Sequence, residues 1–450
     1  MSTSRQVPID RFIRPFQKIM EYERSGAIIL FLCVIIAIIL ANSPIQNLYH
    51  EILEYKLGFQ FNGKTYFNLD VLHWINDGLM ALFFFVVGLE LKKEFVGGEL
   101  AQPRKAILPI AAALGGMAGP ALIYLAFNAN PHTHHGWGIP TATDIAFAVG
   151  ALMFLGKRVP LSLKVFLLAL AIVDDLGAIV VIALFYPSET ISFVNLGIGF
   201  AFFAAMLIGN KMGVRNIFFY AILGICGLWT AFLFSGVHAT IAAVLAAFTI
   251  PAEVNIKEKE YLKDIREKLN FFEKIDPDDQ NPVLKEEQLN ILEDISKSTS
   301  LAMTPLQKFD YALSPISTFI VLPIFAIANA GVSLNIDIDT LFSTHIAIGV
   351  ALGLLLGKTF GIFAVTSLLV KLGIGKLPEG MDFKNLIGVG IFASIGFTMS
   401  LFVTSLAFVQ ANPAMRELYE NQAKIGVFAG SILGGVIGYI YLSAITKKPK

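Results

Sequence analysis

The stretch that decides the fold is Leu168–Tyr186, LALAIVDDLGAIVVIALFY. Apart from two adjacent acids, Asp174 and Asp175, it is apolar or small, and it sits in an apolar run over 162–185. The hydrocarbon core of a bilayer takes about 20 residues of helix, so this run predicts a membrane span with its acids near the middle. One acid at a helix centre costs about 2.5–3.5 kcal/mol to insert, and two cost roughly 5–7. Successive helical residues point about 100° apart, so the pair cannot turn to one partner. The acids are expected to line a wet cavity from two angles, where one holds a cation and the other meets a base. A structural ion pair plus a polar contact is the alternative.

Similar runs fill the rest of the chain. Hydrophobic residues make up 55% of the 450 and charged residues 15%, against about 25% charged in soluble proteins. Twelve apolar runs are bounded by charges: 25–42, 71–91, 106–127, 141–155, 162–185, 191–209, 214–234, 237–250, 312–330, 345–370, 386–409 and 425–443. The expected fold is an all-α polytopic membrane protein of twelve transmembrane helices, forming a single transmembrane domain over 1–450. With the N-terminus placed in the cytoplasm, 29 of the 34 Lys and Arg residues fall on the cytoplasmic side. Lys56, Lys64, Arg416 and Lys424 fall outside, and Lys358 is the one base left within a span. Both termini are then cytoplasmic. Net charge is zero, which leaves no basic field for nucleic acid. Cys33 and Cys226 lie inside apolar runs and make no disulfide framework. The first run is too long for a cleavable signal, and no small-residue cleavage site follows it. A soluble enzyme, a secreted scaffold and a DNA-binding protein are excluded.

Two stretches read as soluble. Residues 55–69, YKLGFQFNGKTYFNL, predict an external β-hairpin turning at Asn62-Gly63, a dipeptide favoured in two-residue type I′ turns. An isolated hairpin is marginal in water, so a second subunit is the expected partner, with a floppy external loop as the alternative. The charged loop 251–311 carries 9 basic and 14 acidic residues, with Leu262, Ile265, Leu269 and Phe272 at helical spacing. It predicts a cytoplasmic surface helix or helical hairpin without chemistry of its own.

The other charges placed at membrane depth are the informative ones. Lys358, in LGLLLGKTFGI, has about a dozen apolar or small residues on each side, and a carboxylate is its expected partner; snorkelling to an interface is the alternative. Asp144 lies in GWGIPTATDIAFAVG, where Pro140, Thr141 and Thr143 disfavour a clean helix. A short interrupted segment carrying an acid points to a transporter binding site; a helix N-cap at the membrane surface is the bland reading. A second Gly-broken stretch, Gly388–Ser400, holds the equivalent place among the last three spans. Spans 106–185 and 345–443 would then be related halves of opposite topology. Asp77 is either polar glue or functional. Glu90 and Glu94 share a helix face and form either a cation-collecting mouth or ion pairs with Lys92 and Lys93. His238 could titrate near neutrality or be simply hydrogen-bonded. The Pro131–His135 cluster fits no standard zinc spacing.

These same residues carry a resemblance. WINDGLMALFFFVVGLELKKE, PTATDIAFAVGAL, LALAIVDDLGAIVVIALFY, SGVHATIAA, LPIFAIANAGVSL, LGKTFGIF and SIGFTMSLFVTSLAF resemble the NhaA family of sodium/proton antiporters over nearly all twelve runs. The resemblance implies inverted-topology repeats with two discontinuous crossing helices. It implies that Asp175 is the central cation-binding carboxylate with Asp174 beside it, and that Lys358 pairs with that site or balances charge. Thr143 and Asp144 match the unwound segment near the ion. Glu90, Lys93, Glu94 and His238 match positions tied to the pH response, Asp77 matches a further membrane acid, and the hairpin matches a dimer-forming ribbon. The chain departs from the family in its long 251–311 loop. It also departs at Asp310, Tyr311 and Ser314, where better-known members carry Glu-His-x-x-His.

The expected function is antiport of sodium or lithium against protons in a bacterial inner membrane, regulated by pH and electrogenic, by a homodimer that needs no cofactor beyond the transported ions. Hard carboxylate oxygens suit Na+ and Li+. An organic-substrate symporter of the same architecture and a cation channel are the alternatives. An intramembrane aspartyl protease would need a Gly-x-Gly-Asp context, which is absent.

Overall fold

The computed structural model describes residues 23–61, 64–186, 191–275, 283–333 and 344–446. The chain begins with α1 (Glu23–Ala41), bent by 109° into α2 (Gln46–Glu54). Strands β1 (Lys56–Phe61) and β2 (Lys64–Asp70) follow as an antiparallel pair. Phe61 pairs with Lys64, so two residues join the strands as the sequence predicts. Those two, Asn62 and Gly63, lie outside the described residues. The base of the hairpin packs on its own chain. The Trp74 indole donates to the Leu57 carbonyl at 3.2 Å, and Phe67 packs against Phe234 with the rings tilted and their centroids 5.2 Å apart.

The remaining elements are helices: α3 (Val71–Gly97), α4 (Pro103–Phe127), α5 (Ile145–Met153), α6 (Leu161–Phe185), α7 (Phe193–Lys211), α8 (Ile217–Leu233), α9 (Ala239–Thr249), α10 (Glu258–Lys274), α11 (Glu286–Ala302), α12 (Pro305–Asn329), α13 (Ile346–Lys371), α14 (Phe383–Ala393), α15 (Phe397–Ala407) and α16 (Pro413–Ile445). Local chemistry sets several starts. Asp382 accepts from the Asn385 N–H at 2.7 Å to open α14, and Thr304 with Gln307 forms a capping box ahead of Pro305 at α12.

Among the described residues, seven helices are long and apolar enough to cross a membrane, or nine if each bent pair is one span. The twelve expected runs therefore divide. Nine match these long helices and bent pairs, whereas 141–155, 214–234 and 237–250 fold as the shorter helices α5, α8 and α9. The isoleucines on the outer faces of α1 and α16, including Ile39, Ile432 and Ile440, are exposed, as suits helices bathed in lipid. Inside, Phe84, Phe325, Leu354, Phe392 and Phe402 are buried in one apolar core.

Backbone approach positions the base at membrane depth. A Cβ on Gly119 would lie 2.3 Å from the Gly357 carbonyl oxygen, and one on Gly115 would lie 2.3 Å from that of Gly361. Only glycines let α4 and α13 touch this closely, and the contact fixes the turn of α13 that carries Lys358.

Within 251–311, α10 packs against α11, the second of the two forms the sequence allowed; residues 276–282 lie outside the described residues, and 305–311 belong to α12. The feet of this pair are tied by Arg215, whose guanidinium donates to the carbonyls of Glu253 at 2.8 Å and Met303 at 3.1 Å. Leu262 and Leu269 remain exposed on it.

Candidate functional site

Two interruptions meet at the centre of the molecule. In the first, a 3-10 turn over His134–Thr141 gives way to extended residues 142–144 before α5 begins. In the second, residues 394–396 separate α14 from α15, which are bent by 50°. The breaks bond to one another. The Asp144 N–H donates to the Ile395 carbonyl at 2.7 Å, and the Ser400 hydroxyl donates to the Ile139 carbonyl at 2.8 Å. Each break frees helix-end groups in a water-poor interior, and such groups need partners.

Asp144 supplies one set. Its Oδ1 accepts from the Phe147 N–H at 3.1 Å, capping α5. Its Oδ2 accepts from the Thr398 N–H at 3.0 Å and from the Thr398 hydroxyl, capping α15. A helix N-terminus carries roughly half a positive charge, so two of them balance about one carboxylate. The surface N-cap reading of Asp144 is thereby corrected: it is an N-cap, but a buried one that serves two helices, because both broken helices start beside it. Ser431 of α16 completes the α15 end, its hydroxyl oxygen accepting from the N–H groups of Gly396 and Phe397, both at 3.2 Å.

Asp174 and Asp175 lie on α6 beside this crossing, and Lys358 approaches from α13; all three are 0% exposed. Lys358 Nζ donates to Asp174 Oδ2 and to the Thr143 hydroxyl. Thr143 Oγ1 is also within reach of Asp174 Oδ2 and of the Ala393 carbonyl at 3.0 Å, and its single proton serves one of them at a time. The expected lysine–carboxylate pair therefore exists, and snorkelling is excluded. Asp175 differs from its neighbour. Among the described residues neither of its oxygens has a hydrogen-bond partner, and Asp174 Oδ1 has none either. Three buried carboxylate oxygens are thus left beside one lysine.

Cavities approach from two sides. One, of about 610 Å³, runs past Glu90 and Ser314 to Asp144 and Thr398. Another, of about 520 Å³, lies at the hairpin end and is lined by Asp77, Tyr186, His238, Asn329 and Lys424. Asp174, Asp175 and Lys358 line neither. The ten residues singled out by sequence thus separate into three groups. Asp174, Asp175, Thr143, Lys358 and Asp144 come together at the crossing. Glu90 joins the first cavity, with Lys93 and Glu94 on the same helix end. Asp77 and His238 share the second cavity.

Two expectations need correction, and His238 takes one of the two forms the sequence allowed. Neither Glu90 nor Glu94 pairs with Lys92 or Lys93. Lys92 donates to the carbonyls of Phe248 at 2.7 Å and Ile250 at 2.5 Å, at the electronegative end of α9. Lys93 pairs with Asp310 at 2.9 Å, while the Glu94 carboxylate accepts from the Glu99 N–H at 2.9 Å. Lys424 and Arg416 are not loop residues but lie within α16, so Lys358 is not alone among bases on candidate spans. His238 is hydrogen-bonded, its Nε2 meeting the Tyr186 carbonyl. Thr398 and Ser431 escaped the sequence reading, although Thr398 lies inside the Gly-broken stretch.

Comparison with known proteins bears on this geometry. The model of the family described as Na+/H+ antiporter 1 matches residues 17–442. The chain belongs to this family. An Na(+)/H(+) antiporter NhaA of Oleidesulfovibrio alaskensis is 44% identical over 440 residues, covering 98% of this chain and 96% of that one. An NhaA of Helicobacter pylori is 42% identical over 434 residues, covering 95% of each. An NhaA of Wolinella succinogenes is 44% identical over 429 residues, covering 93% of this chain and 90% of its own. These alignments span both chains almost entirely, so the family assignment rests on the whole chain and not on one segment.

Proposed function

We propose that this chain exchanges sodium or lithium for protons across a bacterial inner membrane. The observation that carries this reading is Asp175: a buried carboxylate with both oxygens unpartnered. A bare charge in an apolar interior is costly, so such a group holds either a proton or a cation. Hard oxygen ligands favour Na+ or Li+, and protonation removes the charge that holds the ion. Asp175, Asp174 and Thr143 are the ion ligands in this reading. Lys358 balances Asp174 and is released from it as the ion arrives. Asp144 keeps the crossing neutral through the two helix ends it caps. In this reading two protons leave for each ion that enters, one from the Asp175 carboxyl and one from the Lys358 ammonium as it loses Asp174, which makes the exchange electrogenic.

The sidedness follows from the Lys and Arg bias. It puts the Glu90 cavity and both termini in the cytoplasm and the hairpin outside, with the short helices α5, α8 and α9 completing twelve spans. The two interrupted segments then occupy equivalent places in inverted repeats. Glu90, Glu94 and the Lys93–Asp310 pair stand at the cytoplasmic mouth and set the pH response, while His238 and Asp77 act at the outer cavity. The hairpin joins two copies into a homodimer. In proteoliposomes holding a preformed proton gradient, sodium addition should collapse the gradient. A channel would dissipate sodium without moving protons, and a symporter would need an organic substrate present.

A further inference from the structure

Tyr186 follows the last residue of α6 and is 4% exposed. Its hydroxyl accepts from the Gly138 N–H at 3.0 Å and donates to the His135 carbonyl at 2.5 Å. Its own carbonyl receives His238 Nε2, beside the start of α9. A second buried phenol, Tyr124 of α4, donates to the Thr133 carbonyl at 2.8 Å. The 3-10 turn over His134–Thr141 is therefore suspended from two tyrosines, and it leads straight into Ala142, Thr143 and Asp144. There is no slack in the suspension. A Cβ on Gly138 would lie 2.7 Å from the Tyr186 hydroxyl oxygen, and one on Gly136 would lie 2.2 Å from that of Tyr124. Trp137, in the same turn, packs edge-on against Phe185 with centroids 5.1 Å apart. Tyr186 and His238 are also part of the wall of the hairpin-end cavity. One residue thus joins the helix of the acids, the segment that delivers Thr143, and the cavity wall.

We propose that Tyr186 is a positioning residue that closes the outer cavity off from the acidic site, its hydroxyl holding residues 135–138 across the end of α6. This inference rests on the antiport reading, in which the site opens to one side at a time. Without the hydroxyl, the Gly138 N–H and the His135 carbonyl lose that partner and take water from the cavity, and the turn loosens toward it.

The test is thiol accessibility in the full-length protein. Cys33 and Cys226 are changed to Ala, and Thr141→Cys, at a position 1% exposed, reports on the turn. A membrane-impermeant maleimide applied from the hairpin side should label the parent slowly and Tyr186→Phe about tenfold faster, the scale of losing one or two hydrogen bonds. Sodium half-saturation measured from the hairpin side should shift while that from the opposite side holds, whereas general loosening would move both. Gly138→Ala crowds the same hydroxyl from the other side and should also raise labelling, so the proposal stays testable if Tyr186→Phe fails to accumulate. Equal labelling rates in the parent and in whichever variant accumulates would overturn the latch. Loss of sodium-driven proton movement in the unmodified protein would instead overturn the antiport reading, with the labelling contrast intact.

Discussion

Replacing Lys358 by Ala removes the base from a site where nothing else can take its place. Lys358 and Asp174 are both fully buried, and Thr143 is the only other group bonded to the Asp174 carboxylate among the described residues. Breaking a buried ion pair by removing one partner costs about 3–5 kcal/mol, because the remaining charge stays buried without compensation. The lower end applies here, since Thr143 keeps one hydrogen bond to Asp174. A loss of about 3 kcal/mol corresponds to roughly 2–4 °C per kcal/mol in domains of 150–250 residues and less in a longer chain, so a fall of about 5 °C is expected. The assay is thermal unfolding in detergent of Lys358→Ala, Asp174→Asn and the double variant. Asp174→Asn removes the acid that needs the lysine, so the double variant should lose less than the sum of the singles, with a coupling of at least about 1 kcal/mol. The variant lacking only the lysine should also lose less at pH 5 than at pH 8.5, because an uncompensated carboxyl is cheaper to bury with its proton. Strictly additive losses, or a Lys358→Ala protein melting with the wild type, would refute the pair.

Further outcomes follow from the same geometry. Asp175→Asn should abolish sodium-driven proton flux while leaving the melting temperature within a few degrees, since its oxygens bond to nothing that folding needs; near-normal exchange would remove it from the site. Ser431→Ala should leave two N–H groups of α15 unsatisfied at about 1–3 kcal/mol, lowering stability, with Ser431→Thr restoring it. Deleting residues 55–69 should weaken dimers without stopping transport, and unchanged dimers by light scattering would count against the ribbon contact.

What the sequence discloses is governed by cost. Asp174, Asp175 and Lys358 are conspicuous because a charge at membrane depth is expensive, and the structure brings all three together. The break at 142–144 is legible because Pro140 and its threonines oppose a helix, and that at 394–396 because of its glycines. Ser431 and Thr398 are silent because hydroxyls enter membrane helices cheaply, and nothing local says which backbone they will cap. Lys93 and Asp310 are 217 residues apart, so their pairing depends on the packing of α3 against α12. Lys424 escapes because the apolar run 425–443 begins just after it, whereas α16 starts at Pro413. The apolar runs 141–155, 214–234 and 237–250 show the limit of reading run length as helix length, since they fold as the shorter helices α5, α8 and α9.

In the proposed exchange, a proton and a sodium ion exclude one another at Asp175. Sodium half-saturation against pH in proteoliposomes tests it most directly. Each pH unit below the effective titration point of the site should weaken apparent sodium affinity about tenfold per competing proton. Asp174 and Asp175 are coupled, so the slope belongs to the pair rather than to either residue. The same slope should persist when the charges of α10 and α11 are neutralised. A sodium affinity independent of pH, with only the maximal rate changing, would contradict competition and leave gating at the Glu90 mouth as the mechanism.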